Sequence, residues 1–287
     1  MSFSSEIKNK LVKSEGICRK CEMFELAGFL GNSSRLNKTG ISIVTENRGV
    51  ANKISGILSE KYLKDIVVTF KSNNFKITID NEISMEVLRD TEYLNNNLNI
   101  ERECCVGAFV RGAFLGGGSI NDPQKSYHLE FDYKYEEQAE KLKQILENMG
   151  ITVKMTTRKS HTVVYFKEYE TIAGILGIMG AGGAAMEIYN VSAEKEIRNE
   201  INRQMNCENA NMDKIASAYC KHMYAIEKIR NKMGLDKLPD NLKEAAEIRM
   251  KYPEDGLKDL GKRFTPPIGK SGVNHRLSKL IELAESL

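Results

Sequence analysis

An apolar motif with small residues at its centre occurs twice in this chain, and that repetition constrains the fold more than any other feature. Phe24-Glu25-Leu26-Ala27-Gly28-Phe29-Leu30-Gly31 returns at an offset of 85 residues as Phe109-Val110-Arg111-Gly112-Ala113-Phe114-Leu115-Gly116. Self-similarity at a fixed offset marks a fold assembled from repeated supersecondary units. Both copies lie on apolar stretches of helical length, Cys21 to Leu30 and Cys105 to Leu115. Each is expected to run into a small polar loop, Asn32-Ser33-Ser34 and Gly117-Gly118-Ser119.

The flanking pattern repeats as well. In the first copy, enrichment in Ile, Val, Thr and Phe predicts strands at 40–46, 66–71 and 75–80, with a turn at Ser72-Asn73-Asn74. Apolar spacing predicts helices at 49–62 and 83–94. The second copy gives, in the same order, strand 127–134, helix 136–149, strands 151–157 and 162–167, and helix 169–179. Small residues at Ala27, Gly28, Gly112 and Ala113 allow the two motif helices a close approach, so two pseudosymmetric halves are expected to pack about one seam.

Past Lys167 no strand pattern occurs. Residues 194–205 predict a charged helical connector, and Asn206-Cys207-Glu208-Asn209-Ala210-Asn211 a polar linker. Helices are predicted at 213–233, from about Pro239 to Lys251, at 257–264 and at 271–284. Leu257, Leu260 and Phe264 share one face of the third of these. Thr265-Pro266-Pro267-Ile268-Gly269 then breaks the chain, and Ser271 is placed to cap the last helix. Val273, Leu277, Leu280 and Ile281 form its inner face, which turns Asn274, His275, Arg276, Ser278 and Lys279 outward. A short helix, a turn and a second helix with a polar, basic face is helix-turn-helix geometry. An ordinary helical hairpin with a solvated face fits the same pattern.

Charge separates these readings. Residues 1–200 hold 26 Lys+Arg against 27 Asp+Glu, whereas residues 201–287 hold 16 against 12. Between Gly256 and Ile281 the bases Lys258, Lys262, Arg263, Lys270, Arg276 and Lys279 face one acid, Asp259. A basic end on a near-neutral body is the asymmetry of nucleic-acid binding.

The paired stretches Leu26-Ala27-Gly28-Phe29-Leu30 and Arg111-Gly112-Ala113-Phe114-Leu115-Gly116-Gly117-Gly118-Ser119-Ile120 resemble the LAGLIDADG motif of homing endonucleases. Active members place an acid in the loop at each motif-helix end, and metal-dependent phosphodiester cleavage needs those carboxylates. Here no Asp or Glu occurs from Leu26 through Thr45, nor from Arg111 through Asn121. Degenerate motifs joined to a helical, basic C-terminal region resemble the WhiA family of bacterial transcription factors. The resemblance spans almost the whole chain. Its most specific stretches are 111–123, Asn202-Arg203-Gln204-Met205-Asn206-Cys207-Glu208 and Ser271-Gly272-Val273-Asn274-His275-Arg276-Leu277. It implies a sequence-specific, non-catalytic regulator linked to sporulation, cell division and chromosome segregation, with double-stranded DNA as partner and no cofactor. RNA polymerase or a sigma factor is the further partner it suggests, and the C-terminal end also resembles the DNA-binding end of bacterial sigma factors.

The remaining features exclude more than they assign. A charged share of 28% and an apolar share of 41% suit a soluble globular protein. The longest uncharged stretch, Thr171 to Met186, is Gly-rich and falls short of the roughly 20 apolar residues of a membrane span. The N-terminus has no apolar core of a signal peptide, so a cytoplasmic, nucleoid-associated protein without a membrane partner is expected. Cys18, Cys21, Cys104 and Cys105 offer four zinc ligands. A second CxxC is missing, however, and adjacent cysteines make poor tetrahedral ligands, so buried structural thiols and no metal site are expected. Gly180-Ala181-Gly182-Gly183-Ala184-Ala185 fits a dinucleotide fingerprint, with Glu200 at the spacing of its acid, but helical spacing precedes it where a strand is required. Its glycines are expected to end a helix. His128, His161, His222 and His275 have no metal-ligand spacing.

The sequence thus predicts an α+β LAGLIDADG-like domain over 1–199, with repeats at about 18–95 and 104–190, and an all-α helix-turn-helix domain over 200–287. The residues expected at DNA are Lys262, Arg263, Lys270, Ser271, Gly272, Asn274, His275, Arg276, Ser278 and Lys279. Asn274 and Arg276 suit base edges, the lysines, Arg263 and Ser271 suit phosphates, and His275 suits either. The rivals are an active endonuclease with acids supplied by Glu25 or Asp122, and a protein-interaction scaffold.

Overall fold

In the computed structural model, which describes residues 2–37, 40–96 and 100–287, helix α1 (Phe3–Leu11) comes first and is capped by the Ser2 hydroxyl. It buries Ile7 and Leu11, a spacing the sequence reading passed over. The motif stretches then form α2 (Cys21–Ser33) and, in the second repeat, α5 (Glu103–Gly117). Both are apolar on every side, and a helix of that kind is stable only in an interior. Phe24 to Leu30 and Cys105 to Leu115 are accordingly buried without a break.

The expected polar loops are instead the last residues of the motif helices and the first residues of short strands. The helix α2 runs directly into β1 (Ser34–Asn37), followed by β2 (Gly40–Thr45), α3 (Arg48–Tyr62), β3 (Val67–Lys71), β4 (Asn74–Asp80) and α4 (Asn81–Asn96). The second repeat continues from α5 through β5 (Gly118–Ile120), β6 (Leu129–Tyr133), α6 (Glu136–Asn148), β7 (Lys154–Arg158), β8 (His161–Phe166) and α7 (Tyr169–Met179). Each repeat builds a four-stranded antiparallel sheet of the same order, β1-β2-β4-β3 and β5-β6-β8-β7. Strand β6 shows why one face is inner: Leu129, Phe131 and Tyr133 are buried and alternate with half-exposed Glu130 and Asp132. Lys71 pairs with Asn74 around Ser72 and Asn73, both at positive φ, the signature of a type I′ hairpin.

Gly180, at φ +91, ends α7, and α8 begins at Gly182. A helix, not a strand, therefore precedes the glycine cluster, and the dinucleotide reading falls. The predicted linker at 206–211 is also overturned. It lies inside α8 (Gly182–Lys232), one unbroken helix of 51 residues, because the segment holds neither Gly nor Pro to stop it. The chain divides into two compact units, Met1–Lys195 and Glu196–Leu287. In the second unit a 3-10 turn (Leu235–Lys237) leads to α9 (Asp240–Lys251), α10 (Leu257–Lys262) and α11 (Lys270–Ser286). Ile226, Ile229, Leu242, Ala246, Leu260, Phe264, Val273, Leu277 and Leu280 form its core.

Candidate functional site

Two glycines set the seam between the repeats. A methyl group on Gly28 would overlap the Phe109 carbonyl oxygen, and one on Gly112 would overlap that of Glu25. The backbones of α2 and α5 thus touch where only glycine fits, as the small residues predict. Glu25 is buried on this seam. Its carboxylate accepts from Arg111 Nη2 at 2.7 Å and pairs with Lys53 Nζ at 3.0 Å. Arg111 also donates to the Met179 carbonyl. A buried carboxylate held by two cations is structural, so Glu25 does not serve the endonuclease reading. Asp122 lies in a turn, where its Oδ1 accepts the Gln124 N–H at 2.9 Å.

An open cleft of about 850 Å³ lies where α5 ends. Lys8, Glu46, Arg48, Gly116, Gly118 and Ser119 line it. Burial pulls the Lys8 ammonium down to about 8, against the pull of Glu46 in the opposite direction. Glu46 is the acid at this cleft that the motif search missed, because it enters from the end of β2 and not from a motif loop. It stands alone among the described lining residues, whereas a metal clamp for phosphodiester cleavage draws on more than one carboxylate.

In the second unit, α10 and α11 pack as the sequence spacing predicts. Leu260, Phe264, Val273, Leu277 and Leu280 are buried, and Leu257 and Ile281 are packed against them. The Ile268 carbonyl comes so close to Gly261 that a side chain there would collide with it, which pins the turn between the helices. Ser271 is not the cap. Gly269 holds that position without a side-chain hydrogen bond, so among the described residues the first N–H groups of α11, at Lys270, Ser271 and Gly272, have no side-chain acceptor.

The predicted DNA-facing residues fall into two groups. Lys270, Ser271, Gly272, Asn274, His275 and Lys279 are exposed, and among the described residues neither lysine has an acid within ion-pairing distance. Ser278 is half-buried beside them. Lys262, Arg263 and Arg276 have internal partners instead. Lys262 meets Asp259 at 2.6 Å and Arg263 meets Asp255 at 3.3 Å. Arg276 is half-buried, 3.1 Å from Glu244, with its guanidinium over the Phe264 ring. Sequence spacing had turned Arg276 fully outward; it lies at the edge of the exposed face, next to α9.

The cysteines also depart from expectation. Cys18 Sγ lies 3.5 Å from Cys21 Sγ, 3.5 Å from Cys105 Sγ and 3.8 Å from Cys104 Sγ. All four sulfurs are within 4.8 Å of one another. Adjacency does not separate Cys104 from Cys105, because both sit in the first turn of α5 and reach a common point beyond its start. The Lys20 backbone N–H, with the neighbouring thiols, brings the Cys18 thiol down to about 6, while burial pushes Cys104 and Cys105 up.

Comparison with known proteins agrees with this architecture. A model of the WhiA LAGLIDADG-like domain matches residues 106–198, and one of the WhiA C-terminal HTH domain matches residues 201–284. The "Probable cell division protein WhiA" of Alkaliphilus metalliredigens is 37% identical over 310 residues, covering 99% of this chain and 98% of the relative. That of Clostridium novyi is 36% identical over 312 residues, covering 100% and 98%. The crystal structure of full-length DUF199/WhiA from Thermatoga maritima has a TM-score of 0.62 at 27% identity, covering 100% of this chain and 99% of that one. No described helix is long and apolar enough to cross a membrane. With a LAGLIDADG-like domain followed by a helix-turn-helix domain, the chain belongs to the WhiA family.

Proposed function

We propose that this chain is a sequence-specific, non-enzymatic DNA-binding regulator of transcription that acts in cell division, chromosome segregation and sporulation. The observation that carries the reading is the exposed face of α11. Lys270, Ser271, Asn274, His275 and Lys279 are exposed where Val273, Leu277 and Leu280 are buried, and among the described residues neither lysine is ion-paired with an acid. On this reading Asn274 and His275 meet base edges. Lys270, Lys279 and the first N–H groups of α11, Gly272 included, meet phosphates. Ser278 borders that face. Lys262 and Arg263 steer the backbone from the flank, and Arg276 orients α11 against α9 through Glu244. The relatives' name ties the role to cell division. RNA polymerase or a sigma factor is the protein partner such a regulator engages, and the nucleoid is its place.

Loss of the acids from the motif ends supports a chain that binds without cutting. Selection of duplexes from random DNA by the full-length protein tests the reading, with the selected duplex then incubated in Mg²⁺ or Mn²⁺. A recurring sequence recovered uncut is expected. Recovery of no preferred sequence, or cleavage lost on replacing Glu46, overturns it.

A further inference from the structure

Cys18 precedes α2, Cys21 is its first residue, and Cys104 and Cys105 are the second and third residues of α5. Residues from the start of the first repeat and from the start of the second thus meet at one point. Four thiolates bound at about 2.3 Å around a tetrahedral zinc ion lie about 3.8 Å apart. Cys18 Sγ has its three neighbours at 3.5, 3.5 and 3.8 Å, the spacing one ion requires. With all four sulfurs inside 4.8 Å, a cluster of several irons and sulfides does not fit among them. The sulfurs are also far outside the roughly 2.05 Å of a disulfide bond, and all four cysteines are free.

The surroundings of Cys18 favour negative sulfur, while burial opposes it at Cys104 and Cys105. The Lys20 N–H donates to Cys18 Sγ, as backbone donors do to metal-bound thiolates. The cluster also sits at the N-termini of α2 and α5, whose dipoles stabilise anionic groups. Cys21 and Cys105 are buried while Cys18 and Cys104 are partly exposed, so the point is shielded yet open to an entering ion.

We propose that Cys18, Cys21, Cys104 and Cys105 hold one structural zinc ion that clasps the starts of the two motif helices together. Four thiolates close the coordination shell, which leaves no position for water or substrate and assigns the ion to stability, not to chemistry. An S₄ tetrahedral set selects zinc over magnesium or calcium, which require oxygen ligands.

The test uses the full-length protein without a histidine tag, produced with zinc in the medium and kept reduced. Elemental analysis should find one zinc per chain. Cys207→Ser and Cys220→Ser, which alter exposed cysteines outside the cluster, should keep it, whereas the double variant Cys18→Ser, Cys105→Ser should lose it and melt at a lower temperature. If that variant does not fold, the wild type decides: cobalt exchanged into it should give the intense charge-transfer and d–d bands of a tetrahedral tetrathiolate site, abolished by added zinc. Wild-type protein that carries no zinc and gives no such spectrum overturns the proposal. Iron in place of zinc, disulfides among the four cysteines in freshly reduced protein, or zinc retained by the double variant does so too.

Discussion

Glu25 and Arg111 stand 86 positions apart in sequence, and their meeting at 2.7 Å in the interior decides what each of them does. From spacing alone Glu25 was a candidate metal-binding acid, because nothing local to α2 reveals that α5 and Lys53 consume its charge. Removing one partner of a buried pair strands the other, which typically costs about 3–5 kcal/mol. Glu25→Ala should therefore lower unfolding stability in urea by that order. A loss below about 1 kcal/mol, the value of an exposed pair, would mean that the site is wet. The same limit on local reading applies to Arg276 and to the cysteines. Periodicity gives the side of a helix on which a residue lies, but not that Glu244 and Phe264 wait at its edge, nor that two segments separated by a whole repeat bring four sulfurs to one place.

Helices and long strands were legible where their periods are long enough to register. The spans of α3, α6 and α7 follow from apolar spacing, and the matched sheet order follows from the repeat. The strands β1 and β5, of four and three residues, are too short to alternate visibly, and only their first residues fall in the polar loops the sequence suggests. The segment 206–211 failed for another reason. Its asparagines suggest a break, yet their helix propensity lags alanine by only about 0.7 kcal/mol each, and the apolar spacing on either side keeps one phase. Asn209→Pro should cost about 3 kcal/mol of helix stability and visibly lower the helical circular dichroism. An unchanged spectrum would restore the linker. At the seam, Gly112→Ala drives a methyl group into the Glu25 carbonyl, and overpacking of this kind costs about 1–3 kcal/mol. A melting curve like that of the wild type would show that α2 and α5 do not meet there.

The division of labour in the whole molecule follows from where its charges and acids lie. The repeat unit keeps the LAGLIDADG-like scaffold, spends Glu25 on the seam and has, among the described lining residues, a single acid, Glu46, at the cleft beside the motif end. The C-terminal unit carries the basic excess, and Lys270 and Lys279 stand exposed on α11. Phosphate contacts release counterions, so affinity for DNA should fall steeply with salt, and each lost contact should flatten that dependence by about one in slope. Asn274→Ala, by contrast, should discriminate less between the preferred duplex and its point variants, because each good base contact contributes about 1–3 kcal/mol of preference. The direct test of a DNA-reading α11 is fluorescence anisotropy of a selected duplex across a salt series, with the full-length wild type, Lys279→Ala and Asn274→Ala. The account predicts a salt slope lower by about one for Lys279→Ala on every duplex, and reduced preference with a nearly unchanged slope for Asn274→Ala. Wild-type affinity, slope and preference in both variants would contradict it.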